Sequence, residues 1–256
     1  MPRANRHSLP CHVWHITRRC HKWEFLLKFS RDRERWCYWL FQAKKRYGFC
    51  VLNYIVTSNH IHLLVIMDTG DNVISRSMQL IAGRTAQEYN QRKQRKGAYW
   101  EDRYFATAMD TDEYLARCLI YVDMNMVRAG VVTHPGEWKH SGYHEIQSPP
   151  KRYRIIDRVA LALLLGLKDE LRLQVHHQKW INETLSKNDG QRQKIWSKSV
   201  AVGSQTFVKN VIEQMSIKTK GRSVHQSADL YQIKERTCAY TAHFGTKKNL
   251  LSQNVD

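Results

Sequence analysis

Two stretches of this chain hold residue types that could carry out metal-assisted chemistry on a phosphate. In the first, VLNYIVTSNHIHLLVIM over 51–67, two β-rich runs flank a polar break at Thr57–Asn59, and the second run opens on His60-Ile61-His62. Side chains two apart on a strand share a face, so both imidazoles project together while Ile61, Leu63 and Val65 face the other way. Two imidazoles side by side make half of a metal site. The second stretch, from Asp110 to Gly130, has helical periodicity: Leu115, Leu119, Val122 and Met126 form an apolar stripe, and Arg117, Tyr121 and Asn125, four apart, share another face. His60, His62 and the Asn125 amide oxygen form a neutral N/O donor set that suits one Mg2+ or Mn2+ acting as a Lewis acid on a phosphate. Tyr121, one turn before Asn125, would lie beside that phosphate. A phenol titrates near pH ~10 and needs such activation before it attacks phosphorus. Tyr114, two turns earlier, is the rival nucleophile.

These residues need a frame. Residues 11–18 alternate like a first strand, and 31–47 carry Trp36, Trp39, Leu40 and Tyr47 at helical spacing before Gly48. Residues 50–56 and 60–67 read as second and third strands, 71–95 as a second helix, and 103–109 as a short fourth strand. The order β-α-β-β-α-β predicts an α+β, ferredoxin-like (split βαβ) antiparallel sheet whose two helices leave the opposite face for a site. A catalytic helix follows the fourth strand. Asp110 and Glu113 have the spacing of a capping box at its start, and Gly130 stands where a terminating glycine belongs. After Pro149-Pro150 the sequence reads as helical stretches at 155–167, 171–185 and 204–215 with polar links and no strand signals. That divides the chain into a domain of residues 1–148 and a basic, mainly helical accessory region of residues 149–256. Residues 219–225 and the last ~20 are expected to be loosely ordered.

Composition narrows the partner. A formal charge of +18 on 256 residues, with a pI of about 9.8, favours a polyanion, and nucleic acid fits best because phosphate contacts and counterion release need no sequence readout. No apolar run is long enough to span a bilayer, which predicts no membrane partner. Six dispersed cysteines without a C-x-x-C pair, and no secretory leader pattern, suit a reducing, cytoplasmic setting. Candidate DNA contacts are Arg92, Lys93, Arg95 and Lys96 at the end of the second helix, Arg103 nearby, and Arg117 and Arg128 on the catalytic helix. Trp100 and Tyr104 can stack on unpaired bases or fill the core.

YIVTSNHIHLLV (54–65), followed at helix distance by YLARCLIYVDMNMVRAGVV (114–132), resembles the single-tyrosine HUH transposases, and within them the REP-associated tyrosine transposases. GAYWEDRYF (97–105) and EWKHSGYHEI (137–146) add to the likeness, which covers about residues 10–146, and VGSQTFVKNVIEQM (202–215) extends it weakly. The resemblance implies a transposase or endonuclease that cleaves single-stranded or hairpin DNA through a 5′-phosphotyrosine intermediate with Mg2+ or Mn2+. It matches His60 and His62 to the HUH histidines, Tyr121 to the nucleophile and Asn125 to the third ligand. It favours a monomer, with a homodimer as the alternative. One departure is visible: the family's Asn-Pro is Asn125-Met126 here, so the helix is expected to run on and re-aim Asn125. The competing function is a domesticated, non-catalytic protein that binds DNA hairpins and regulates, for which His60, His62, Tyr121 and Asn125 would all be unnecessary. A histidine-triad hydrolase would need another alternating histidine where Leu64 stands.

Overall fold

Strand β1 (His12–Arg19) leads through a short turn into helix α1 (Ser30–Tyr47), which ends at Gly48 in the left-handed conformation (φ 66°). Strands β2 (Cys50–Val56) and β3 (His60–Met67), helix α2 (Val73–Arg92) and strand β4 (Phe105–Met109) follow. The computed structural model describes residues 12–48, 50–67, 72–187, 193, 195–215, 224–227 and 230–234. The four strands lie side by side in the order β2-β3-β1-β4, all neighbours antiparallel, which is the split βαβ arrangement expected.

The two faces of the sheet do different work. Ile61, Leu63 and Val65 are wholly buried, as are Trp36 and Leu40 of α1 and Met78 and Ile81 of α2. The Trp36 ring lies 6.4 Å from Tyr54 of β2. The other face carries α3 (Asp112–Asp123), a one-residue break at Met124, and the single turn α4 (Asn125–Arg128). The helix therefore breaks just before Asn125 rather than running on through it, while the Met124 N–H still donates to Ile120 and the Arg128 N–H to Met124. The expected capping box does not form. Thr111 occupies the cap position, and the Asp110 carboxylate instead accepts from the Thr111 N–H and from both the N–H and the hydroxyl of Ser204.

The region after residue 148 departs from the expectation of a helical extension. Helix α5 (Tyr143–Gln147) ends just before it, and beyond it helices α6 (Arg158–Leu164), α7 (Glu170–Ser186), α8 (Ile195–Lys198) and α9 (Gln205–Met215) are accompanied by strands β5 (Ser199–Gly203), β6 (Val224–Ser227) and β7 (Leu230–Lys234). β5 pairs parallel with β4 and antiparallel with β7, so one seven-stranded sheet crosses position 148. The run SVAVG is short and buried throughout, with none of the alternation that marks a half-exposed strand. Of the segment expected to be loose, Val224 and His225 belong to β6, while 219–223 and the last twenty residues lie outside the described residues, as does the 68–71 approach to α2.

At the opposite end, β2 is not left as an open edge. The Val56 N–H donates to the His140 carbonyl, the Gly142 N–H to Tyr54, and the Asp157 N–H to Val51. Gly142 is there because nothing larger fits: a Cβ at that position would stand 2.2 Å from Asn53 Oδ1 and 2.5 Å from Ile156 Cδ1. Gly142→Ala is expected to lower unfolding stability by ~1–3 kcal/mol, read from a urea midpoint that shifts without a change in slope. An unchanged midpoint would mean that the segment moves away from β2 at no cost.

Candidate active site

The side chains singled out from sequence reach one another from three elements. His62, on the α3 face of β3, has its ring centroid 5.8 Å from that of Tyr121 on α3 and 5.1 Å from that of His60, both edge-on. The Asn125 side-chain amide lies 3.0 Å from His62 Nε2. Tyr121 is nearly buried, at 7% exposure, and lies edge-on to His15 (6.2 Å) and tilted against Trp196 (6.2 Å). The Arg128 guanidinium sits 4.1 Å from the centre of the Tyr121 ring and donates to the Tyr121 carbonyl at 2.7 Å, bringing positive charge to the face of the phenol.

Hydrogen-bond chemistry fixes the imidazoles' tautomers. His15 Nδ1 lies 2.7 Å from the Trp196 carbonyl, which can only accept, so Nδ1 carries the proton. Complete burial lowers the His15 pKa to about 4 against the smaller opposing pull of that carbonyl, so the ring is neutral and its Nε2 is an acceptor. His62 Nδ1, 2.9 Å away, must therefore be the donor, which leaves the His62 lone pair on Nε2, facing Asn125. His60 is set the same way. The Thr57 hydroxyl donates to the His60 carbonyl at 2.8 Å, so its oxygen, like Asn59 Oδ1 at 2.8 Å, receives from His60 Nδ1–H, and the lone pair again falls on Nε2.

This donor set fits a divalent cation: two neutral imidazoles with their lone pairs on Nε2, and an amide. As placed, Asn125 turns its nitrogen to His62, and a half-turn about its last torsion would exchange that atom for the oxygen. His15 cannot join as a ligand, since both its nitrogens are already engaged. Among the described residues no group of three or more His, Cys, Asp or Glu side chains is placed to hold a metal, so the amide is the available third donor.

A second buried network ties the end of α3 to the C-terminal region. Asp123 Oδ1 accepts from Asn53 on β2 at 2.9 Å, and Oδ2 accepts from His177 Nε2 on α7 at 2.7 Å. Gln147 reaches His177 Nδ1 at 2.8 Å, and His177 Nε2–H donates to the carboxylate. Neither His15 nor His177 was expected to matter at the site. Their partners are 47 and 54 residues away, and spacing in the sequence shows no such pairing.

The expected DNA contacts are scattered rather than gathered. Trp100 and Tyr104 fill the core: Trp100 Nε1 donates to the Ala82 carbonyl and the Tyr104 hydroxyl bonds Ser75, which settles the choice against stacking. Arg92 pairs with Asp32 of α1, and Arg95 bonds Asn90, the Ala98 carbonyl and Glu24. Arg117 lies 3.7 Å from Glu113, and Arg128 is taken up by Tyr121. Lys93, Lys96 and Arg103 are exposed.

Residues 10–125 match the family model described as Transposase IS200 like. Among solved structures, the chain is similar to a REP-associated tyrosine transposase bound to a REP hairpin, at 18% identity and a TM-score of 0.48, covering 57% of this chain and 84% of that one. It is also similar, at 13% identity and a TM-score of 0.34, to a Deinococcus radiodurans R1 protein described as a transposase, covering 50% of this chain and 95% of that one. No curated protein matches the chain. No described helix is long and apolar enough to cross a membrane.

The Asp123–His177 link generates a mutational expectation. His177→Ala leaves a buried carboxylate short of a donor and is expected to cost roughly 3 kcal/mol of stability, with His177→Gln costing less. Equal losses in the two variants, measured by chemical denaturation, would show that the ring's packing matters and its hydrogen bond does not.

Proposed function

We propose that the chain is a metal-dependent transposase or endonuclease that cleaves and rejoins single-stranded or hairpin DNA, with Tyr121 as nucleophile. The observation that carries the reading is the meeting of His62, Tyr121 and Asn125, with the His62 lone pair turned toward Asn125 by the chain of bonds from Trp196. The match of residues 10–125 to the IS200-like transposase model and the net charge of +18 support it.

The chemistry follows from the side chains. Tyr121 Oη, on losing its proton, attacks the scissile phosphorus; a bond forms between phosphorus and the phenolic oxygen, and the bond to the 3′ oxygen breaks. That oxygen takes up a proton and leaves as a hydroxyl, while the 5′ side stays on the protein as a phosphotyrosine. Reversal with another 3′-hydroxyl reseals a strand without an external energy source. A divalent cation held by His60, His62 and Asn125, either Mg2+ or Mn2+, would supply Lewis-acid polarisation of the phosphate. Arg128, stacked on the phenol ring, brings a positive charge to the side of Tyr121 where the phosphate would bind. His15 holds the His62 ring in the ligating tautomer and touches no substrate. Trp196, packed against Tyr121, must shift for a strand to enter, because the phenol is almost wholly covered. The partner is DNA, acted on by a monomer, and the setting is cytoplasmic.

Incubation with labelled hairpin oligonucleotides and Mn2+ should yield a denaturant-resistant protein–DNA adduct. Tyr121→Phe should abolish it and keep DNA binding; loss with Tyr114→Phe but not with Tyr121→Phe would reassign the nucleophile, and no adduct under any condition would favour a pure hairpin binder. His15→Gln should raise the metal concentration needed for half-maximal adduct formation by about 10- to 100-fold. An unchanged metal requirement would remove His15 from the account.

A further inference from the structure

The segment between β1 and α1, residues 21–29, exposes three aromatic rings: Trp23 at 53%, Phe25 at 64% and Phe29 at 54%. Single exposed apolar side chains are ordinary, but three within seven residues, each more than half in water, form a surface that a partner would cover. Cations sit on the rings. The Arg19 guanidinium is 3.4 Å from the Trp23 centroid, and the Lys93 and Lys28 ammonium groups are 5.4 and 5.9 Å from Phe29. The nearby carboxylates are already matched, Glu24 by Arg95 at 3.2 Å and Glu101 by Arg19 at 3.6 Å.

The backbone presents these rings at a cost. Lys22 and Trp23 both adopt the left-handed region, with φ of 49° and 63°, a strained conformation for a residue with a side chain. The surroundings hold it in place: the Cys20 N–H donates to Asn59, the Leu27 N–H donates to Ser58, and Leu26 and Leu27 are buried beneath. Asn59 links this loop to the candidate site. Its Nδ2 donates to the Trp23 carbonyl at 3.3 Å, and its Oδ1 accepts from His60 Nδ1 at 2.8 Å.

We infer that Trp23 and Phe25, with Arg19 on the Trp23 ring and Lys93 beside the neighbouring Phe29, form a stacking platform for unpaired bases of the DNA strand that runs out of the site at His60. The inference rests on the DNA reading above and adds which part of the substrate is held and by which residues. Flat aromatic and guanidinium faces take bases of any identity, provided those bases are not already stacked in a duplex, and the flanking cations match the phosphates between them. The loop thus takes the role that Trp100 and Tyr104, buried in the core, cannot fill.

The test compares two labelled hairpins, one blunt and one with a short single-stranded extension, by fluorescence anisotropy on the full-length protein. The wild-type chain should bind the extended hairpin more tightly. The double variant Trp23→Ala, Phe25→Ala should lose on the order of tenfold or more on the extended hairpin and little on the blunt one, and Trp23→Phe should retain most of the affinity. Equal loss on both hairpins, or no loss on either, overturns the platform while leaving wild-type DNA binding intact. Failure of the wild-type protein to bind either hairpin would instead overturn the DNA reading on which the platform depends.

Discussion

A single backbone carbonyl, that of Trp196, sets the protonation of the candidate site. Because a carbonyl cannot donate, it obliges His15 to carry its proton on Nδ1, and full burial keeps that ring neutral. His15 Nε2 then obliges His62 to donate from Nδ1, and the His62 lone pair is left on Nε2, toward Asn125. Without this sequence of obligations His62 would be free to choose either tautomer, and one of them presents an N–H toward Asn125 in place of the lone pair that the proposed cation would use. The orientation of a ligating imidazole is ordinarily fixed by the partner of its other nitrogen. Here that partner is itself an imidazole, held in turn by a turn of helix that lies just before β5.

The region beyond residue 148 is thus part of how the site is built. It supplies the Trp196 carbonyl and the indole ring against Tyr121, and through α7 it supplies His177, whose bond to Asp123 pins the last residue of α3 one position before the break that precedes Asn125. Asp123 also joins Asn53 on β2, so α3 is fastened to the sheet on one side and to the C-terminal helices on the other. Burying a carboxylate is costly unless its oxygens are satisfied, and both are. Gly142 belongs to the same fastening, since a larger residue would push Asn53 off its bond to Asp123.

What could be read in advance and what could not divide along sequence separation. The four strands and two helices of the core announce themselves by local periodicity, and His60, His62, Tyr121 and Asn125 by spacing within one strand and one helix face. These are short-range signals. The role of His15 depends on the antiparallel pairing of β1 with β3, which places His15 opposite Leu64 and so diagonal to His62, and nothing in CHVWHITR records that register. His177 sits on an otherwise ordinary amphipathic helix. The helix break at Met124 was also hidden, because the family's proline is absent there and local propensity favours a continuous helix. Exposure is a tertiary property as well: Trp100 and Trp23 look alike as members of aromatic, basic stretches, and only the folded chain buries one at 8% and leaves the other at 53%. β5 escaped notice because a buried strand of five residues has no alternation to show.

The account stands most directly on which nitrogen of His62 holds the proton. Long-range proton–nitrogen correlation spectra of protein labelled with 15N-histidine, recorded near neutral pH without added metal, report each ring's tautomer. The account predicts His15 and His62 both protonated on Nδ1, with an unprotonated Nε2 resonance for His62 that moves when His15→Gln breaks the chain of bonds. A His62 ring protonated on Nε2, or one whose tautomer is indifferent to His15, would contradict it.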